Sequence, residues 1–286
     1  MDEYTYINLR TRASSGDIGL LFPDWERGGE RLAVFGPHDD DPLLGAGYAM
    51  AAALDSGAEV FVVIFCKGDC GYSSPEQKDS IVGVRRTENE RALARFGVKK
   101  ENIFRFEYPD FSLCQFVGKT LQSGEDGGAL LGVIDFIRNN GITRAMIPNG
   151  YREHVDHTAA YNITAFDIIQ AGDAVVADRG AVQLVKSFLQ YSVWADFSQE
   201  DALLSGEKDI SIRANRAIVC PEAVEERVRA AVGEYVSQKG IITDLLLSRE
   251  ERRVPDSNKY MELYIELDPR PKLDFAPYAR LIGSII

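Results

Sequence analysis

The sequence predicts a three-layer α/β/α fold with a mainly parallel sheet and a C-terminal strand/helix elaboration. Three observations carry this. Short unbroken apolar runs, clearest at Val60-Phe-Val-Val-Ile-Phe65, lack polar/apolar alternation, as strands buried on both faces do. Helical stretches separate these runs through about residue 172, and strand–helix alternation implies parallel crossovers with helices on both faces. After that the texture changes, and one strand alternates cleanly. The first part therefore reads as Rossmann-like.

Residues 1–30 carry no clear period and are expected to wrap the surface or form one short element. Arg31 to Phe35 is a strand ended by Gly36-Pro37. Leu43 to Leu54 is alanine-rich and free of β-branched residues, which favours helix. Val60 to Phe65 is the next strand, and Asp79 to Phe96 a helix stopped by Gly97. Ile103 to Phe106 is a strand, Leu130 to Ile137 a helix, and Ile142 to Ile147 a strand. Asp156 to Gln170 is a helix with Ala159, Ile163 and Phe166 on one stripe. Phe188 to Trp194 and Asp209 to Ala214 are expected strands, and Pro221 to Val236 a helix with proline at its first position. From Tyr260 to Leu267, Met261, Leu263, Ile265 and Leu267 share one face, and Tyr260, Glu262, Tyr264 and Glu266 the other, as in a half-exposed strand. Ser123–Ala129 and Ser248–Asn258 are the expected mobile loops. The whole reads as one domain over 1–286, with an N-terminal extension (1–30), an α/β core (31–200) and a C-terminal elaboration (201–286).

At 286 residues and 45% apolar content the chain can bury a large core. Its net charge of −12 argues against nucleic acid or an anionic membrane as partner. Cys66, Cys70, Cys114 and Cys220 lack the spacing of a paired zinc site and read as free thiols in a reducing cytoplasm. The polar N-terminus, MDEYTYINLR, shows no signal peptide, and no run approaches the roughly 18 apolar residues of a membrane helix. A soluble cytoplasmic protein is expected.

The three histidines, His38, His154 and His157, fall in two short segments, Pro37-His-Asp-Asp-Asp41 and Glu153-His-Val-Asp-His157. Each segment follows an expected buried strand. In a parallel sheet such loops meet at one edge, where ligands bind. Two imidazoles and a carboxylate meeting there make a three-ligand set for a catalytic divalent metal, with a position open for water. A cation also offsets the repulsion among Asp39, Asp40 and Asp41, although an acidic N-cap remains an ordinary role for Asp39.

Together the two segments resemble the PIG-L/LmbE-like zinc-dependent N-deacetylases, which remove acetyl from N-acetylglucosamine-type groups. His38-Asp39-Asp40-Asp41 carries Asp39 where that family usually has proline, and Pro42 where glutamate is common. His154-Val155-Asp156-His157 has valine where proline is common. Arg85-Arg-Thr-Glu88, with Ala92 and Phe96-Gly-Val98, is similar to a helix of the family, and Ser237-Gln238 to a short late segment. The likeness covers about 31–172 well and the last third weakly. It implies that His38, Asp41 and His157 bind one zinc per chain, other divalent metals such as Fe2+ being open. It implies that Asp40 is the general base, that His154 stabilises the oxyanion or acts as an acid, oriented by Asp156, and that Arg85 holds the substrate.

Tyr151, on the second loop, and Asp69, in the loop after the second strand, are further expected substrate contacts. The partner implied is a small-molecule or glycoconjugate substrate, without nucleic acid or membrane insertion, and homo-oligomerisation is left open. One rival is a 2-His-1-carboxylate iron(II) enzyme, disfavoured by the parallel sheet. Another is a non-catalytic Rossmann-like small-molecule binder, suggested by Gly45-Ala-Gly47. That motif lacks a third glycine, and the aspartates upstream would repel a pyrophosphate. Gly45 and Gly47 are expected instead to ease the helix against the sheet.

Overall fold

The computed structural model describes residues 4–118, 127–200, 209–268 and 270–286. The strands are β1 (Thr5–Asn8), β2 (Ala13–Ser15), β3 (Arg31–Gly36), β4 (Glu59–Cys66), β5 (Ile103–Tyr108), β6 (Arg144–Pro148), β7 (Ser187–Tyr191), β8 (Arg216–Pro221) and β9 (Lys259–Leu267). The helices are α1 (Asp41–Asp55), α2 (Ile81–Phe96), α3 (Leu130–Asn140), α4 (Val155–Gln170), α5 (Glu222–Val232), α6 (Lys239–Ser248) and α7 (Ala276–Gly283). All these strands join one sheet, in the order β2-β1-β8-β9-β7-β6-β3-β4-β5.

The α/β layering is as expected, but the sheet is mixed rather than mainly parallel. Strands β5, β4, β3, β6 and β7 run parallel. Strands β9, β8, β1 and β2 then add to the β7 edge with antiparallel pairings. Antiparallel pairing needs no crossover helix, so strand–helix alternation carries no sign of it. Along β3, Leu32 and Val34 enter one core with α1, α2, α5 and α6, while Ala33 and Phe35 enter the other with α3 and α4. Burial on both faces is why these strands read as unbroken apolar runs. A Cβ on Gly45 would fall 2.3 Å from the Tyr191 ring, and one on Gly47 2.8 Å from Val228. Both glycines serve close helix packing.

The C-terminal third departs most from expectation. No strand forms over 209–214; β8 begins at Arg216, and Pro221 ends it as the N-cap of α5 instead of opening the helix. β7 stops at Tyr191, short of Trp194. In α4, Phe166 is exposed, and the buried stripe runs through Ala159, Ala160, Ile163 and Asp167. The expected loop Ser248–Asn258 opens with a 3-10 turn whose Arg249 is buried; of Ser123–Ala129, residues 123–126 lie outside the described residues.

In β9 the face carrying the polar side chains is the more buried one: Tyr260, Glu262 and Tyr264 are buried, while on the other face Ile265 is buried but Leu263 is 43% exposed. A buried polar network explains why the polar face lies inside. Glu262 accepts from the Tyr48 N–H (2.8 Å), the Tyr264 hydroxyl (2.5 Å) and Arg252 (2.6 Å). Glu225 accepts from Arg249 (2.6 Å) and the Tyr48 hydroxyl (2.5 Å), and Arg249 also donates to the Leu44 carbonyl (2.9 Å). Polar groups with partners can be buried, and these lock the C-terminal third onto α1.

Stability measurements test both kinds of buried charge. Arg249→Met should lower unfolding free energy by about 3 kcal/mol in urea titration, because the buried Glu225 carboxylate keeps only the half-buried Arg229 of its two arginine partners. The additional Glu225→Leu change should recover most of that loss. Asp167 has an oxygen buried without a hydrogen-bond partner, and burial pushes its carboxyl up to about 7. The folded chain then holds a proton that the unfolded chain releases near pH 4, so this residue's contribution to stability falls as pH rises from about 4 to 7. Asp167→Asn should remove that part of the slope, leaving the variant progressively more stable than wild type across the window.

Candidate metal centre

Strands β3 and β6 lie side by side and parallel, yet β3 is followed by β4 on one side and β6 by β7 on the other. This reversal opens a crevice beyond their carboxyl ends. Both histidine segments run into it. Asp41 opens α1, with Pro42 beside it in the first turn, where a missing N–H is harmless. Asp41 Oδ2 accepts the His38 backbone N–H at 2.9 Å and so closes the loop. On the other side His154 caps α4, its Nδ1 accepting the Asp156 N–H at 3.2 Å. That bond uses the Nδ1 lone pair and leaves the proton of a neutral His154 on Nε2.

Donor atoms of His38, Asp41 and His157 all lie within 4.8 Å of one another. Asp41 Oδ2 is 3.3 Å from His38 Nδ1 and 3.3 Å from His157 Nε2. The His157 Nε2 atom is buried and has no hydrogen-bond partner. Burial disfavours charge on Asp41, but His157 and His38 outweigh it and hold the carboxyl well below its usual range. Burial likewise pushes His38 down, yet Asp156 and Asp41 bring it up to about 10; Asp41 and Glu153 bring His157 up to about 9. The pocket thus draws in positive charge. An orphaned imidazole nitrogen beside an ionised carboxylate and a second imidazole fits a divalent cation of zinc's preferences. A second set, His38, His154 and Asp156, shares His38, whose Nε2 is 3.4 Å from Asp156 Oδ2.

The three aspartates have different surroundings. Asp39 is buried between two arginines, accepting from Arg85 Nε at 3.0 Å and from Arg105 Nη1. Its carbonyl accepts from Asn89 (2.9 Å) and the Tyr235 hydroxyl (2.7 Å). Asp39 is therefore an ion-pair anchor, not a cap. Asp40 makes no capping hydrogen bond, and Arg85 Nη2 is 3.9 Å away. Burial first, then the charge of Asp41, pushes its carboxyl up.

Of the expected substrate contacts, Tyr151 is exposed on the β6–α4 loop. Arg85 is only 5% exposed. It lies beneath Gly68 and Gly71, where an added Cβ would fall 2.5 Å from its guanidinium group. Asp69 accepts the Asp110 N–H at 2.9 Å and pairs with Lys67 at 3.1 Å. Asp156 accepts from the N–H groups of Phe111 (2.7 Å) and Leu113 (3.2 Å). Phe111 went unnoticed in the sequence. Its ring is 60% exposed and lies edge-on to His154 at 4.4 Å, and its backbone holds a φ of 60°, costly for a bulky residue. Glu153 was also missed, although it heads the second segment four residues before His157.

Residues 33–166 match the family model for GlcNAc-PI de-N-acetylase, PIG-L, so the resemblance carried by the two segments holds across that span. A comparison with curated protein sequences returns no match. Among solved structures, a conserved protein of Thermus thermophilus is 20% identical with a TM-score of 0.62, covering 85% of this chain and 97% of its own. The N,N'-diacetylchitobiose deacetylase of Pyrococcus horikoshii is 15% identical, with a TM-score of 0.60 and coverages of 88% and 90%. GalB, the 4-carboxy-2-hydroxymuconate hydratase of Pseudomonas putida, is also 15% identical, with a TM-score of 0.60 and coverages of 86% and 100%. At these identities the likeness concerns the fold. Among the described residues no helix is long and apolar enough to cross a membrane.

Metal binding separates the His38–Asp41–His157 set from the His38–His154–Asp156 set. If His38, Asp41 and His157 hold the cation, His157→Ala should weaken zinc binding strongly in competition with a chromogenic chelator. His154→Ala should keep one zinc per chain.

Proposed function

The α/β core of this chain is a PIG-L-family core, and from that premise we propose that the protein is a zinc-dependent hydrolase removing acetyl from the nitrogen of an N-acetylated amino sugar or related conjugate. One observation carries the reading: Asp40 is a buried carboxylate with a raised pKa that makes no capping hydrogen bond and has Arg85 at 3.9 Å, directly beside Asp41 of the donor set. His38, Asp41 and His157 would hold the zinc. When bound, zinc supplies Lewis acidity toward water and toward an amide carbonyl.

Asp40 accepts a proton from the attacking water and returns it to the leaving nitrogen, so amide and water become acetate and amine. Its raised pKa strengthens it as the proton acceptor, and the proton then passes on to the more basic leaving nitrogen. The neutral His154 donates from Nε2 to the oxygen that gains charge as the carbonyl becomes tetrahedral. Asp156 holds the Phe111–Leu113 segment against His154 by its two backbone hydrogen bonds. Phe111 and Tyr151 offer aromatic surface to the apolar side of a sugar ring. Arg85 acts from behind, fixing Asp39 and facing Asp40. Asp69 shapes the neighbouring turn through Asp110.

The zinc-loaded protein should release acetate from at least one N-acetylglucosamine conjugate in a panel assay. Asp40→Asn should retain its zinc and lose about 10²–10⁴-fold in kcat, the usual worth of a general base. Equal rates for wild type and Asp40→Asn, or no acetate from any conjugate, would sink the reading.

A further inference from the structure

We infer that Glu153 is a positioning residue for His157, setting that imidazole's tautomer and tying it to the segment over 192–195 that follows β7. The inference rests on the ligand role proposed for His157 and adds a residue to it. The Glu153 side chain is fully buried. Its Oε1 gathers four donors from one short segment: the Ser192 hydroxyl (2.8 Å) and the N–H groups of Val193 (2.9 Å), Trp194 (2.9 Å) and Ala195 (3.2 Å). Anchoring that segment occupies only one oxygen. Oε2 is turned the other way, 2.5 Å from His157 Nδ1 and off the ideal hydrogen-bond line, with no other polar partner.

A buried carboxylate oxygen without a donor is costly. A proton on His157 Nδ1 removes that cost. It also puts the lone pair of the neutral ring on Nε2, the orphaned atom that faces Asp41. A carboxylate behind a ligand histidine fixes ring and tautomer and raises basicity, and its loss commonly weakens metal binding 10–100-fold. Glu153 would do this while holding the segment that follows β7, so ligand and segment share one anchor. A glutamine cannot serve both sides. Its amide has an acceptor at one end and a donor at the other, so either the 192–195 segment or the imidazole meets the wrong group.

The test measures zinc affinity by chelator competition for wild type, Glu153→Gln, Glu153→Ala and His157→Ala, with apo-protein melting recorded beside each. A Trp25→Phe background leaves Trp194 as the sole tryptophan reporting on the 192–195 segment. We expect zinc binding 10–100-fold weaker in Glu153→Ala and clearly weaker in Glu153→Gln. We also expect a zinc-induced change in Trp194 emission in the Trp25→Phe background that disappears when Glu153 is replaced. Should Glu153→Ala not fold, Glu153→Gln carries the test. Affinities within twofold of wild type, when His157→Ala abolishes binding, overturn this inference alone. Wild type without His157-dependent zinc binding overturns both this inference and the ligand assignment.

Discussion

Three adjacent carboxylates at the end of a buried strand repel one another, and the architecture of the cleft follows from how that repulsion is divided. Asp39 is turned away and neutralised by Arg85 and Arg105. Asp41 faces two imidazoles that hold it ionised. Asp40 is left between them with only a 3.9 Å approach from Arg85, and its pKa rises. Each aspartate thus has one chemical character, which no two of them share. The division depends on distant parts of the chain: Arg85 comes from α2, Arg105 from β5, His157 from α4, and Tyr235, after α5, holds the Asp39 carbonyl.

The reversal of strand order between β3 and β6 makes this possible. Two loops diverge there, and their histidines can face each other across the crevice without either loop crossing the sheet. The antiparallel half of the sheet supports the same place from the side. β9 packs its Tyr and Glu residues against α1, so the helix that begins at Asp41 is clamped by Glu262, Glu225 and Arg249. Gly45 lets that helix approach the end of β7 closely enough for Tyr191 to donate to the Phe35 carbonyl, two residues before Pro37.

Much of this was legible in the sequence, and the unread part has a common cause. The α/β core was readable because strands buried on both faces need only apolar residues, and those stand next to one another in the chain. The donor set was readable because the histidines cluster. The inner face of β9 was not, since Glu262 and Tyr264 are acceptable inside only when Arg249, Arg252 and Tyr48 are beside them. The charge on Asp39 was opaque for the same reason: Arg85 and Arg105 lie 46 and 66 residues away. Arg85 itself read as a substrate contact because its place beneath Gly68 and Gly71 is a matter of tertiary packing alone. Buried polar groups are specified by partners at long sequence separation, and local patterns are silent about those.

The central claim is that His38, Asp41 and His157 form the cation site, while Asp40 stays outside it. Anomalous diffraction at the zinc edge, from crystals of the zinc-loaded protein, tests this most directly. The account predicts one strong peak within bonding distance of those three side chains and beyond bonding distance of Asp40. A peak on His154 and Asp156, or one bonded to Asp40, would contradict it.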